Sequence, residues 1–439
     1  MKKYLVLLSV LLLVVAALFV GGCRRGEGNG ENTNPDAATG TEAEGDTIII
    51  GGALSLTGIQ APLDAPAVEG AQIAVEEINA AGGVNGKQLE FRNMDGKSDP
   101  AVAGEVAQQL LDEGAAAIIT ASDYDFGGPA ARAAQAAGKV GVSPCASSPL
   151  FGSAMLGDKQ FTLSMWNTTM GAVVAEKAYK EDGFKTVYVV TDDFIDYTKS
   201  LSKYFMDSFT DQGGKVLLED TFSQGKLDTA ALLAHYKSFD KKPDFIYVSS
   251  YMPDLGTVLK EFRTAGINVP IYGGDAYDDP ALVELLGADF GNDIVYDTHS
   301  YLSADAVPGF TEYADAYKAK FNEELNAPWS MAGYDVVKVL AEAMTETGGV
   351  DGAAMAKYME ENAFQCLTGQ LDWSDAATGH EPNKAAALVQ VTDGKTSFLG
   401  WKIPEKLPKP ESAGFGRLNL RSECVHYGRT HLNKGWNGL

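Results

Sequence analysis

Short apolar runs alternate with amphipathic stretches along most of the chain. Thr47 to Ala53 is a β-branched run closed by glycines and predicts a buried strand. From Ala67 to Ala80 the apolar positions Val68, Ala71, Ile73, Ala74, Val75 and Ile78 mark one face of a helix, stopped by the glycine-rich stretch up to Gly86. Gln88 to Met94 reads as the next strand, and Asp99-Pro100 opens a helix with a capping side chain and a proline in the first turn. Ala115 to Thr120 is a strand, Gly128 to Ala137 a helix and Lys139 to Val142 a strand. After Phe161 to Leu163 the pattern restarts. Helices over 171–181, 198–210, 229–239 and 255–264 separate strands over 186–190, 215–221, 244–249 and 270–273. Strands separated by helices imply parallel, doubly wound sheets, and two such series predict an α/β chain with two lobes and a cleft between them.

The first residues follow a different pattern. Lys2 and Lys3 precede an apolar run from Tyr4 to Val20, which ends in Gly21-Gly22-Cys23. A positive end, an apolar stretch and small residues describe a secretory signal peptide over 1–22. A run of this length could also span a bilayer. Val20-Gly21-Gly22-Cys23 resembles the lipobox of bacterial lipoproteins, in which the Cys is diacylated and becomes the first residue of the mature chain. Two acyl chains suffice for stable anchoring. Residues 23–46, rich in Gly, Asn, Thr, Ala and Glu, lack the apolar residues to fold and read as a tether.

Composition then narrows the classes. A hydrophobic fraction of 45% and a charged fraction of 21% are those of a globular protein. The roughly 390 residues after the tether are too many for one core and comfortable for two. With 35 Lys and Arg against 59 Asp and Glu the net charge is −24, which argues against nucleic acid as a partner. Cys145, Cys366 and Cys424 show no metal-type spacing, and a Cys366–Cys424 bridge is conceivable in an oxidising compartment.

Several local strings carry a family resemblance. Gly52-Ala-Leu-Ser-Leu-Thr-Gly58 and the stretch from Glu69 to Gly86 resemble the type I solute-binding proteins of ABC importers, in their leucine/isoleucine/valine-binding branch. Ser143-Pro-Cys-Ala-Ser-Ser148, Asp196-Tyr197 and Ile271-Tyr-Gly-Gly-Asp275 follow in the family's order, so the likeness runs from about Thr47 to Trp401. The resemblance implies two doubly wound parallel-sheet lobes joined by a three-strand hinge. Lobe 1 would comprise 47–164 plus 298–368, lobe 2 would comprise 165–297 plus 369–401, and 402–439 would form a C-terminal tail. It also implies a monomer that closes on its ligand by hinge bending.

The resemblance places ligand-binding residues as well. Ser122 and Ser147, with the backbone at Cys145, would bind a ligand carboxylate; each Ser could equally cap the helix that follows. Asp275 would bind the ligand ammonium, or be an exposed turn residue beside Asp278 and Asp279. Tyr197 and Tyr251 align with aromatic positions facing the cleft, where a core or rim role is also open. One stretch departs from the family. Ser122-Asp-Tyr-Asp-Phe-Gly-Gly128 replaces a small, Ser-rich loop, and Asp123 beside a carboxylate site would repel an anion. Tyr124 and Phe126 add bulk there. Asp123 and Asp275 together point to a ligand with a positive group, so an amino acid other than a branched-chain one, or an amide or amine, fits.

His235, His299, His380, His426 and His431 sit in no hydrolase or zinc motif, and no phosphate loop occurs. The expectation is a binding protein without cofactor or metal, partnered by an ABC permease and its ATPase, or alternatively a sensor lipoprotein signalling to a receptor. Pro404 to Pro410 reads as a linker, and the basic segment after Gly414 matches nothing in the family.

Overall fold

The computed structural model describes residues 47–373 and 379–410. The leader, Cys23, the tether and the tail with Cys424 lie outside the described residues. Strands β1 (Thr47–Ala53), β2 (Gln88–Asn93), β3 (Ala117–Thr120), β4 (Val140–Ser143) and β5 (Gln160–Thr162) form one sheet in the order β2-β1-β3-β4-β5. Every pairing in it is parallel, as the strand–helix alternation requires.

A second sheet holds β6 (Thr186–Asp192), β7 (Lys215–Phe222), β8 (Phe245–Ser249), β9 (Ile271–Gly273) and β10 (Ile294–Thr298). These five strands also pair in parallel. After the small antiparallel hairpin β11 (Ala363–Cys366) and β12 (Gly369–Asp372), the strands β13 (Ala386–Thr392) and β14 (Lys395–Lys402) extend this sheet antiparallel. The second lobe is therefore a mixed sheet, in the order β14-β13-β10-β9-β8-β6-β7.

One boundary shifts. The stretch from Gly369, expected in lobe 2, first stays with lobe 1: Leu371 and Trp373 are buried in the core that contains Ile50, Val142 and Phe161. Trp373 donates its indole N–H to the carbonyl of Thr162 at 3.1 Å. The passage to the second sheet comes just before β13. At the passages between sheets, the buried Lys384 Nζ donates to the carbonyl of Leu163 and to Thr368 Oγ1, both at 2.8 Å. Asp335 in turn accepts from the backbone of Leu367 and Thr368. One buried cation thus ties together chain segments that meet where the lobes join.

The helix predicted from Ala67 starts at Ala61, because Pro62 falls in its first turn and Pro66 lacks only the N–H that would reach the Pro62 carbonyl. It ends as expected at Gly82 and Gly83, whose φ values of 108° and 77° suit glycine, with Gly83 N–H bonded to Ile78 O. Gly70 on this helix and Gly333 on the helix Trp329–Glu346 let the two backbones touch. A Cβ at Gly70 would lie 1.8 Å from Ser330 O, and one at Gly333 2.0 Å from Ala67 O. Gly70 of the Glu69-to-Gly86 string is thus a packing residue of lobe 1.

Candidate functional site

The site grows out of the ends of strands in both sheets. The loop after β3 carries Ser122 and Asp123, the loop after β4 carries Cys145 and Ser147, and the loop after β9 carries Asp275. Carboxyl ends of parallel strands are where open α/β sheets bind ligands. From lobe 2 the helix Asp196–Asp211 contributes Tyr197, and the turn after β8 contributes Tyr251.

Gln60, Leu63, Asp123, Cys145, Ser147, Tyr197, Tyr251, Asp275 and Ala276 line a cavity of about 20 Å³, roughly the room of a single water. Five of the six residues expected to bind ligand line it, and none of the lining residues is Lys, Arg or His.

Ser122 does not line it. Its hydroxyl and its backbone N–H both donate to Asp64 Oδ1, at 2.6 and 2.9 Å. Asp64 Oδ2 accepts from Ser55 N at 2.8 Å. The carboxylate-binding role expected for Ser122 is therefore taken away by a buried acid from a helix 58 residues earlier. Nor does either serine cap a helix: the helix after Ser122 begins at Tyr124 with Asp123 before it, and the one after Ser147 begins at Ser153 with Gly152 before it.

Asp275 is no exposed turn residue. It is buried, and its carboxylate accepts from the hydroxyl of Tyr197 at 2.7 Å on one oxygen, while His299 Nε2 stands 2.9 Å from the other. Tyr197 also accepts from Ala276 N at 3.2 Å, so one phenol fixes both the acid and its turn. His299 was not legible as a site residue. It follows β10 at a passage between the sheets, and only the fold brings it to Asp275.

Asp123 is buried too, and its Oδ2 accepts from Gln60 Nε2 at 2.6 Å. Burial pushes its carboxyl well above the usual range, against the Gln60 hydrogen bond, and the negative charges of Asp125, Asp275 and Asp64 add to the rise. Burial likewise pushes Asp64 up to about 7 despite its hydrogen-bond donors. Tyr124 and Phe126 stay off the cavity: Tyr124 packs near Phe151 and accepts from Arg132, and Phe126 joins the core of Met165 and Phe205.

Three buried polar atoms on lining residues have no hydrogen-bond partner: Gln60 Oε1, Ser147 Oγ and Tyr251 OH. Buried polar groups are paired in the great majority of cases, so three unpaired atoms around one cavity make it the candidate site. Across the cleft mouth the lobes touch directly. Asp196 N donates to Asp125 Oδ2 at 2.8 Å, and Ser148 Oγ donates to Asp196 Oδ2. Among the described residues no group of three His, Cys, Asp or Glu side chains is placed to hold a metal ion.

Known proteins share this architecture. The chain is 26% identical over 330 residues to the leucine-, isoleucine-, valine-, threonine- and alanine-binding protein of Pseudomonas aeruginosa, covering 75% of this chain and 86% of that one. The branched-chain amino acid transporter substrate binding protein LivJ of Streptococcus pneumoniae, solved with isoleucine, is 28% identical and superposes with a TM-score of 0.73 over 82% of this chain and all of its own. The leucine binding protein LivK of Thermotoga maritima matches with the same identity, TM-score and share of this chain. A family model described as periplasmic binding protein matches residues 47–396, and the chain belongs to that family, whose members bind solutes for ABC transporters and are not enzymes.

Proposed function

We propose that this chain is a lipoprotein, anchored outside the cytoplasmic membrane through Cys23. In the interlobe cleft it captures an amino acid or a related small amine or amide and delivers it to an ABC permease and its ATPase. It acts as a monomer whose lobes close around the solute. The observation that carries the reading is the cavity between the lobes, with Asp275 held ready by Tyr197 and His299. A carboxylate so fixed is a preorganised partner for an ammonium group, because its orienting hydrogen bonds are formed before the cargo arrives.

Ser147 and Tyr251 add hydroxyls from opposite lobes, so a cargo that bonds to both draws the lobes together. Asp125 and Ser148 then meet Asp196 at the rim and close the entrance. The two acyl chains expected on Cys23 would keep the lobes beside the permease at the end of a flexible tether.

A thermal-shift screen of amino acids, amides and polyamines on the full chain in mild detergent tests this. A cargo at one hundred times its dissociation constant stabilises by about 2.7 kcal/mol. Failure of every such compound to shift the transition would count against solute capture. Globomycin, which blocks lipoprotein signal peptidase, should leave the leader attached if Cys23 is lipidated.

A further inference from the structure

The cavity between the lobes carries an acid from each of them. An α-amino acid brings an ammonium and a carboxylate, and needs an acid at one end and donors or a cation at the other. Here both ends are acidic. Asp275 sits on the lobe 2 side and Asp123 on the lobe 1 side, and both line the same cavity. Asp64, whose carboxyl group holds Ser122, is close enough that its charge helps push the Asp123 carboxyl up.

Among the lining side chains, the donors left for an anion are the hydroxyls of Ser147 and Tyr251. Both donors of Ser122 are spent on Asp64. The nearby buried cation, Lys384, gives its Nζ to Leu163 O and Thr368 Oγ1. Acceptors are in surplus: Gln60 Oε1 has no partner, only Oδ2 of Asp123 is engaged by Gln60, and the Ser147 and Tyr251 hydroxyls can accept as well as donate. Gln60 is 1% exposed, Ser147 1% and Tyr251 6%, so bulk solvent does not reach these polar atoms. An aliphatic side chain against Asp123 and Gln60 would leave them unpaired. A hydrogen-bonding site rejects the cargo that lacks the matching group far more strongly than an apolar pocket rejects a misfit.

We propose that the cargo is a small cation with N–H donors at both ends, a diamine or a guanidine, held between Asp275 and Asp123, and not an aliphatic α-amino acid. This rests on the reading of the cleft as the cargo site. Of the two ends, Asp275 is the anchor, held by Tyr197 and His299, and Asp123 with Gln60 is the selecting pair. The amide of Gln60 orients Asp123 through Nε2 and offers Oε1 to the same cargo, so the pair can take two N–H groups of one amine or guanidine end.

Isothermal titration of the full chain in detergent, with putrescine, 1,3-diaminopropane, agmatine and guanidine in one set and leucine, isoleucine and valine in the other, decides the matter. At least one of the first set should bind a hundredfold or more tighter than any of the second. Asp123→Asn should weaken that binding tenfold or more while leaving the unliganded thermal transition within a few degrees. Tighter binding of leucine, isoleucine or valine than of every amine would overturn the inference and leave solute capture standing. Absence of heat with both sets would overturn the inference and count against the cleft as a cargo site as well. The comparison between the two sets needs no variant, so a poorly folding Asp123→Asn protein would not rescue the idea.

Discussion

Asp64 and Ser122 lie 58 residues apart in the chain and are joined twice, through the serine hydroxyl at 2.6 Å and its backbone N–H at 2.9 Å. Every group around Asp64 donates to it, so an amide in its place would turn an NH₂ towards an N–H. Asp64→Asn should destabilise lobe 1 by about 1–3 kcal/mol, the cost of a buried unsatisfied donor. Ser122→Ala should cost about 1 kcal/mol or less. Chemical denaturation of both variants measures the difference.

Stability should fall as pH rises towards 8. Burial raises Asp64 to about 7, Asp278 to about 8 and Asp192 to about 6, from an unfolded value of 3.8. The folded chain therefore holds protons that the unfolded chain releases, and unfolding is favoured progressively from about pH 4 to pH 8. The thermal transition should be higher at pH 5 than at pH 8, and Asp278→Asn should flatten the upper part of that slope. A transition temperature that climbs from pH 5 to pH 8 would contradict the assignment.

Cation binding should release a proton. Asp123 is faced by Asp125, Asp275 and Asp64 and is held above the usual carboxylate range chiefly by burial. A cation beside it favours the charged form, so the carboxyl gives up its proton on binding and affinity rises with pH. Titration of putrescine in buffers of different ionisation enthalpy should show this as a buffer-dependent heat. Equal heats in all buffers would contradict it.

The contact between the helices of Gly70 and Gly333 has no room for a methyl group. Gly70→Ala and Gly333→Ala should each lower stability by about 1–3 kcal/mol through forced separation of the backbones. Gly86→Ala should act otherwise: φ is 81° there and nothing lies within reach of an added Cβ, so backbone strain alone sets its smaller cost. Thermal unfolding of the three variants ranks them.

Much of the fold can be read from local pattern, because runs such as Ile48-Ile49-Ile50 admit only a buried strand between helices of one apolar face. Asp275 and the residues at the ends of β4 and β8 follow from family strings. What stayed hidden was set by distance in the chain. Asp64 removes Ser122 from the cavity, and His299 reaches Asp275, only once the sheets are assembled. Gln60 precedes Pro62, just before a helix that begins six residues ahead of the apolar pattern at Ala67. Trp373 kept the chain in lobe 1 past Gly369 because its indole needed both an apolar core and the Thr162 carbonyl.

On the proposed reading the cargo sits against Asp275 in the cleft between the lobes. The most direct measurement of this is calorimetric titration of putrescine into the full chain and into Asp275→Asn. Asp275→Asn should lose a hundredfold or more in affinity, about 2.7 kcal/mol, since the charge partner of the amine would be gone. Unchanged affinity in the variant would contradict it.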